Sequence, residues 1–216
     1  MVSNSDLREE IVRVGRRLAT RQLIAGTDGN ISVRLGPDRI MVTPSGRHKG
    51  LIGPDEMVIV DMQGNRIEGS SSASSELGMH LSVYRARAEI NACVHAHPPF
   101  ATAFAVAGMP VPDDVLPEVV LAVGPIALSE FAPPGTKAVA ESLEVFVGEH
   151  NAFLLKNHGL LTIGRDLEEA INRHETVEHC ARIVHLARQL GGINRLPAEE
   201  VARLEQLRKK AGKPPA

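Results

Sequence analysis

The chain of 216 residues has no tryptophan, one tyrosine (Tyr84) and an aromatic content of only 3%. That scarcity removes the stacking platforms on which single-stranded nucleic acid binds and the aromatic belts that anchor membrane proteins. There are two cysteines, Cys93 and Cys180, and no CxxC pair, so neither a disulfide framework nor a zinc-knuckle motif is available. A reducing, cytoplasmic setting fits. Charge of one sign is lacking too: 24 Lys and Arg stand against 26 Asp and Glu, a formal net charge of -2, which generates no field for nucleic acid or an anionic membrane. The longest apolar run, residues 115–128, is broken by Pro117, Glu118, Gly124 and Pro125 and cannot span a bilayer. Residues 3–17 carry seven charges between Asp6 and Arg17, where a secretory signal needs an uncharged core. A soluble cytoplasmic protein with a small-molecule substrate is expected, with no nucleic acid and no membrane as partner.

What is present is a core-forming composition, 43% hydrophobic, in a chain long enough to bury roughly 70% of its unfolded surface. Leu7, Ile11, Val14 and Leu18 recur at helical spacing, with Gly26 as the expected stop. Short strands are predicted over residues 30–35, 39–43 and 57–61, separated by Gly, Pro and Asp turns. Further along, helices are expected over 74–87, 98–107 and 136–148, and strands over 91–97, 152–156 and 160–163. A long helix over 167–190 opens on Asp166 with Glu169 three residues later, an Asp form of the capping box. A last helix is expected over 198–210, then a frayed tail. No linker or repeat divides residues 1–216, so the pattern predicts one three-layer α/β/α domain around a mostly antiparallel central sheet.

His95-Ala96-His97 ends a predicted strand, and period-two geometry turns both imidazoles to one face. A catalytic metal takes three protein ligands and keeps a position open, which makes His158, in the turn Asn157-His158-Gly159, the candidate third ligand. Glu76 is expected in the first turn of a helix, where the dipole favours its charged form. Three small polar segments, Gly26-Thr27-Asp28-Gly29-Asn30, Thr43-Pro44-Ser45-Gly46 and Ser74-Ser75, are rich in the donors that cradle a phosphate. Arg47-His48-Lys49 reads either as a partner for an anion or as a solvated surface. His174 and Glu178, flanked by Arg173 and Arg182, read as an ion-paired helix face rather than a metal site.

In this order the motifs resemble the class II aldolase and adducin family, including its fuculose-phosphate-cleaving members. They are Gly26-Thr27-x-Gly29-Asn30-Ile31-Ser32, Thr43-Pro44-Ser45-Gly46, Ser74-Ser75-Glu76 with His80, His95-Ala96-His97, Pro134-Gly135-Thr136 and Leu155-x-Asn157-His158-Gly159. The resemblance implies that His95, His97 and His158 bind Zn(2+), with Glu76 a fourth ligand that substrate displaces. It implies that Gly29, Asn30, Ser45, Gly46, Ser74 and Ser75 hold a sugar phosphate. The implied activity is that of a lyase cleaving a ketose 1-phosphate to dihydroxyacetone phosphate and an aldehyde, through an enediolate that the metal stabilises, with Glu76 moving the protons. A homotetramer with its site at a subunit boundary is implied as well, and the apolar stretch 115–121 is expected at that interface.

One family feature is missing. A tyrosine is expected near residues 115–118, and the chain has none there. Glu118, 21 residues after His97, is a candidate replacement in proton transfer, in the manner of the related methylthioribulose-1-phosphate dehydratases. A dehydratase or another sugar-phosphate lyase or decarboxylase is therefore the alternative activity. A non-catalytic adducin-like module is the second alternative, disfavoured by the three histidines.

Overall fold

The computed structural model describes residues 3–211; the tail expected to fray lies outside them. Helix α1 (Asn4–Thr20) starts behind Ser3, whose hydroxyl accepts from the Asp6 amide while the Asp6 carboxylate accepts from the Ser3 amide. This reciprocal box satisfies two otherwise orphaned donors. The helix stops before Gly26. Gln22 adopts a positive φ of 58°, and the Leu23 amide closes the end on the Leu18 carbonyl.

Eight strands form one sheet in the order β4-β3-β2-β1-β5-β8-β7-β6. They are β1 (Asn30–Arg34), β2 (Arg39–Val42), β3 (Val58–Asp61), β4 (Arg66–Glu68), β5 (Ala92–Ala96), β6 (Ile126–Ser129), β7 (Ala152–Leu155) and β8 (Gly159–Gly164). Every neighbouring pair is antiparallel except β6 with β7. Two strands are additions to the sequence reading, and both are edges. β4 is exposed and polar, while β6 follows Gly124-Pro125 inside the long apolar run.

Side chains alternate across the sheet with period two. Ile40, Val42, Cys93, Phe153, Leu155, Leu161 and Ile163 meet α2 (Leu77–Ala86) and α4 (Lys137–Glu144) on one face. Ile31, Val33, Met41, Val94 and Ala96 meet α1 and the start of α5 (Leu167–Gln189) on the other. Leu154 and Leu160 extend that second face toward α3 (Pro99–Val106) and the middle of α5. Each fully buried aliphatic side chain contributes about 1.5–3 kcal/mol. The fold is the three-layer α/β/α arrangement around a mostly antiparallel sheet. No described helix is long and apolar enough to cross a membrane.

Several local expectations are corrected. α2 begins three residues later than predicted, so Glu76 occupies the N-cap and not the first turn. Asp166 caps α5 by accepting from the Glu169 amide, but the return bond of the box goes to the Arg165 amide, one residue early. In the stretch 115–121, Val119 and Val120 are buried, as is Val123 just beyond, in a π-helical turn (Val119–Val123) that packs on α5 and α6 (Ala198–Ala211), while Pro117, Glu118 and Leu121 are exposed. His174 is fully buried against Thr162, and Glu178 accepts from the amides of Phe100 and Ala101, capping α3. The ion pairs on α5 are made by Glu168 and Glu175, which meet Arg17, with Arg21 also on Glu175, and so tie α1 to α5, and by Glu169, which meets Arg165 and Arg173.

Candidate metal centre and anion cradle

His95 stands on β5 opposite Asn30 of β1 and Leu161 of β8, and its parity turns it to the α2 face. His97 follows two residues later, beyond the strand end. The third histidine comes from the β7–β8 turn, where Asn157 takes a left-handed φ of 56°, a conformation asparagine tolerates. At the next residue but one a side chain is excluded: a Cβ on Gly159 would lie 2.5 Å from His97 Cδ2 and 2.6 Å from the Ala96 carbonyl oxygen. That glycine lets the turn close over β5 and brings His158 to the pair. The ligand atoms of His95, His97 and His158 all lie within 4.8 Å of one another.

Glu76, freed from the helix barrel by its N-cap position, faces the three rings. Its Oε2 is 3.3 Å from His95 Nε2, and its Oε1 is 3.0 Å from His158 Nε2. Oε1 is nevertheless buried without a hydrogen-bond partner, because the two groups aim at a common centre more than at each other. His95 Nε2 and His97 Nε2 are 3.3 Å apart. A carbonyl only accepts, so the 3.0 Å contact from His95 Nδ1 to the Leu160 carbonyl assigns the proton to Nδ1 and leaves Nε2 bare. His97 Nδ1 faces the Asp28 carboxylate at 3.3 Å, an electrostatic contact on the ring's outer side. Outer partners that fix ring and tautomer in this way characterise metal-binding imidazoles. Imidazole nitrogens and an orphaned carboxylate oxygen crowded together fit a cation.

Electrostatics agree. Burial raises the Glu76 carboxyl, but His158 and His95 outweigh it and hold its pKa well below the usual carboxylate range. Burial lowers His97 to about 4, with the neighbouring His95 adding to the effect. Beneath them, Ser32 Oγ lies 2.7 Å from His80 Nδ1 and 2.8 Å from the Tyr84 hydroxyl. Burial pushes His80 down to about 3 and raises Tyr84 far above its ordinary value.

The polar loops gather beside this centre. Asn30 Nδ2 donates to Glu76 Oε2 at 3.0 Å, which links the first loop to the carboxylate directly. The Ser45 amide donates to the Ser72 carbonyl, and Pro44 pairs with Ala73, so the second loop lies against the third. Ser45, Gly46 and Ser75 are exposed, and Ser74 is half-buried, its hydroxyl accepting from the Glu76 amide. Gly29 has φ 73°, and a Cβ there would lie 2.6 Å from the His95 carbonyl oxygen. Gly135, of the Pro134-Gly135-Thr136 motif, approaches Ser75. Among the described residues, the amides of Gly29, Gly46 and Ser75 donate to no protein acceptor.

The family profile described as Class II Aldolase and Adducin N-terminal domain matches residues 9–185. The chain belongs to the class II aldolase and adducin family. It is 35% identical over 199 residues to the 5-deoxy-D-ribulose 1-phosphate aldolase of Bacillus thuringiensis serovar kurstaki, covering 91% of this chain and 92% of that one. It is 33% identical over 180 residues to the 3-oxo-tetronate 4-phosphate decarboxylase of Haemophilus influenzae, covering 82% and 85%. A solved structure of an L-fuculose 1-phosphate aldolase superposes with a TM-score of 0.89 at 35% identity, over 97% of this chain and 98% of that one. Aldolases and decarboxylases are both lyases.

Against this family background two residues stand apart from the histidine centre. Glu118 is exposed, at the head of the π-helical turn, and makes no hydrogen bond or ion pair among the described residues. Tyr84 is 2% exposed and donates to the Ser32 carbonyl, so the chain's one tyrosine is structural. Two charged residues of the loops take up definite positions. Asp28 faces His97, and Lys49 is buried with its ammonium on two loop carbonyls. Neither had a distinguishing signal: each is a charged residue in a turn.

Proposed function

We propose that the chain is a zinc-dependent aldolase that cleaves a ketose 1-phosphate of the fuculose 1-phosphate type to dihydroxyacetone phosphate and an aldehyde. The observation that carries it is the convergence of His95, His97 and His158 beside the Glu76 carboxylate, joined through Asn30 to loops with free amides. Three nitrogen donors and one carboxylate suit Zn(2+). When bound, the ion supplies Lewis-acid stabilisation of the negative charge that builds beside the substrate carbonyl.

The chain's own residues do the rest. The amides of Gly29, Gly46 and Ser75 and the hydroxyls of Ser45 and Ser74 hold the phosphate, and Asn30 sits between phosphate and reacting carbons. That orientation lowers the barrier by several kcal/mol, on the order of 7 at best. Cleavage of the bond between carbons 3 and 4 requires loss of the proton on the carbon-4 hydroxyl and gain of one at carbon 3. Glu76, already adjacent to the reacting centre, takes the first and returns it to the second, a role worth about 10²- to 10⁴-fold. Glu118 joins proton transfer only if a neighbouring subunit presents it, which belongs with the homotetramer that the family resemblance implies. A mass of 23.2 kDa for the active species in light scattering would remove both. A cytoplasmic location completes the proposal.

A second reading, decarboxylation of a 3-oxo-acid phosphate, is favoured by the burial of Tyr84. Loss of carbon dioxide leaves the same kind of carbanion, and only one proton, delivered to that carbon, is then needed. Water supplies that proton, and the ionised Glu76 relays it to the carbon. The deciding experiment incubates zinc-loaded protein with L-fuculose 1-phosphate, 5-deoxy-D-ribulose 1-phosphate and 3-oxo-tetronate 4-phosphate, and measures dihydroxyacetone phosphate, aldehyde and carbon dioxide. Aldehyde release supports the aldolase, and carbon dioxide release the decarboxylase. Glu76→Gln should keep the fold and lose at least about a hundredfold in turnover; full activity in that variant would sink both readings.

A further inference from the structure

We propose that Lys49 is a positioning residue for the phosphate-binding loops: its buried ammonium ties residues 26–30 to residues 43–47 and sets a positive charge beside their uncharged donors, toward a phosphate monoester. The inference rests on the reading of those loops as a phosphate site. None of Gly29, Asn30, Ser45, Gly46, Ser74 and Ser75 is charged, so a dianion held by them alone would be balanced only by amide and hydroxyl dipoles.

The Arg47-His48-Lys49 cluster divides sharply in the structure. Arg47 is exposed and pairs with Glu56 at 2.9 Å, and His48 Nδ1 accepts from the Gly50 amide. Lys49 is 2% exposed, with Nζ 2.7 Å from the Thr27 carbonyl oxygen and 2.7 Å from the Arg47 carbonyl oxygen. The backbone is pressed onto α1 here: a Cβ on Gly15 would run into the Lys49 carbonyl, and one on Gly50 would lie 2.5 Å from Ala19 Cβ. With the backbone held on the helix, the side chain reaches inward to both loops.

Burying an ammonium is costly unless its donors are satisfied and its charge is balanced. Two of its three N–H groups have carbonyl acceptors, and the third has none among the described residues. Burial lowers the Lys49 pKa, while the charges of Asp28 and Glu76 act in the opposite direction. Its two carbonyl acceptors stand two residues before Gly29 and one residue after Gly46, which places the ammonium next to the cradle. An apolar side chain of similar length would fill the space without that cost. The charge is retained where an anion is to be received.

The test is isothermal titration of zinc-loaded protein with inorganic phosphate, for wild type, Lys49→Met, Lys49→Gln and Lys49→Arg, alongside circular dichroism and zinc content. Lys49→Met and Lys49→Gln should weaken phosphate binding by about tenfold to a hundredfold, the range for a charged hydrogen bond, with zinc content unchanged. Lys49→Arg should restore part of the loss, and KM for a ketose 1-phosphate should rise more than kcat falls. Lys49→Gln retains a donor for the carbonyls and decides the matter if Lys49→Met does not fold. A folded Lys49→Gln protein with wild-type phosphate affinity overturns the proposal, as does a wild type that binds no phosphate. Charge-dependent phosphate binding in a wild type that cleaves no ketose phosphate supports Lys49 while overturning the aldolase reading.

Discussion

Replacing Gly159 with alanine should damage the metal centre through a single methyl group. The new Cβ would stand 2.5 Å from His97 Cδ2, 2.6 Å from the Ala96 carbonyl oxygen and 3.3 Å from His95 Cε1. Carbon atoms pack at about 3.5–4.0 Å, so roughly 1 Å of relief is required. The Ala96 carbonyl cannot provide it, because Ala96 is paired with Leu160 in the β5–β8 ladder. His97, whose side chain is 26% exposed, can swing outward, and its Nε2 moves with it. Metal–ligand distances tolerate about 0.2 Å. Zinc affinity should therefore fall by about tenfold to a hundredfold and kcat by about a hundredfold. The overpacking should cost about 1–3 kcal/mol of stability. A chelator-competition titration reads the affinity, and urea denaturation reads the stability. A folded Gly159→Ala protein binding zinc as tightly as wild type would falsify the reasoning. Gly78→Ala is the control: nothing lies within 4 Å of a Cβ in that α2 position, so it should add about 0.4–1 kcal/mol and leave zinc binding unchanged.

Three further outcomes are expected. Glu178→Ala should destabilise the protein by about 1–2 kcal/mol, since it strips the amides of Phe100 and Ala101 of their acceptor; an unchanged denaturation midpoint would show that water replaces the cap. His80 and His174 are buried with pKa values lowered to about 3, desolvation being the first cause for each. Below the ordinary value of 6.5 the unfolded chain takes up protons that the folded chain refuses. Stability is thus fully present above about pH 6.5 and is lost toward pH 3, by about 1.4 kcal/mol per pH unit for each histidine. Chelator-treated His174→Gln should show a pH slope shallower by one proton, and an identical slope would exclude His174 as a contributor. Gly29→Ala combines a positive φ with a close backbone approach to His95, and should abolish turnover while Gly46→Ala, with open space around it, loses only what its strained φ costs.

Legibility in the sequence tracked how local the cause was. The cap at Asp166, the alternation through β1 and β5, and the pairing of His95 with His97 each depend on residues within a turn or a strand, and each lies where the pattern predicts. The two unread strands, β4 and β6, are the sheet's edges. An edge strand is defined by the free hydrogen-bonding groups of its neighbour, and three or four residues carry too little pattern to announce it. Residues 115–121 follow a related rule: an apolar stretch demands cover, but the sequence does not say how much of it α5 and α6 provide and how much another subunit would.

By itself, the sequence determined the chemical inventory: three histidines, a carboxylate, small polar loops, and a single tyrosine. It also determined the two glycines, Gly29 and Gly159, that close approach requires. Tertiary structure alone decided what that inventory does. Whether a lysine in a charged cluster is solvated or buried depends on what packs over it, and α1 pressed against residues 49–50 sends Lys49 inward while Arg47 stays outside. Whether Glu178 pairs with a cation or caps a helix depends on α3, whose Phe100 lies 78 residues earlier in the chain. The convergence of Glu76 with His158 joins the N-cap of α2 to the β7–β8 turn, far apart in the chain and 3.0 Å apart in the fold. Hydrogen bonds and burial act over a few ångströms, whereas sequence separation carries no distance until the strands have paired.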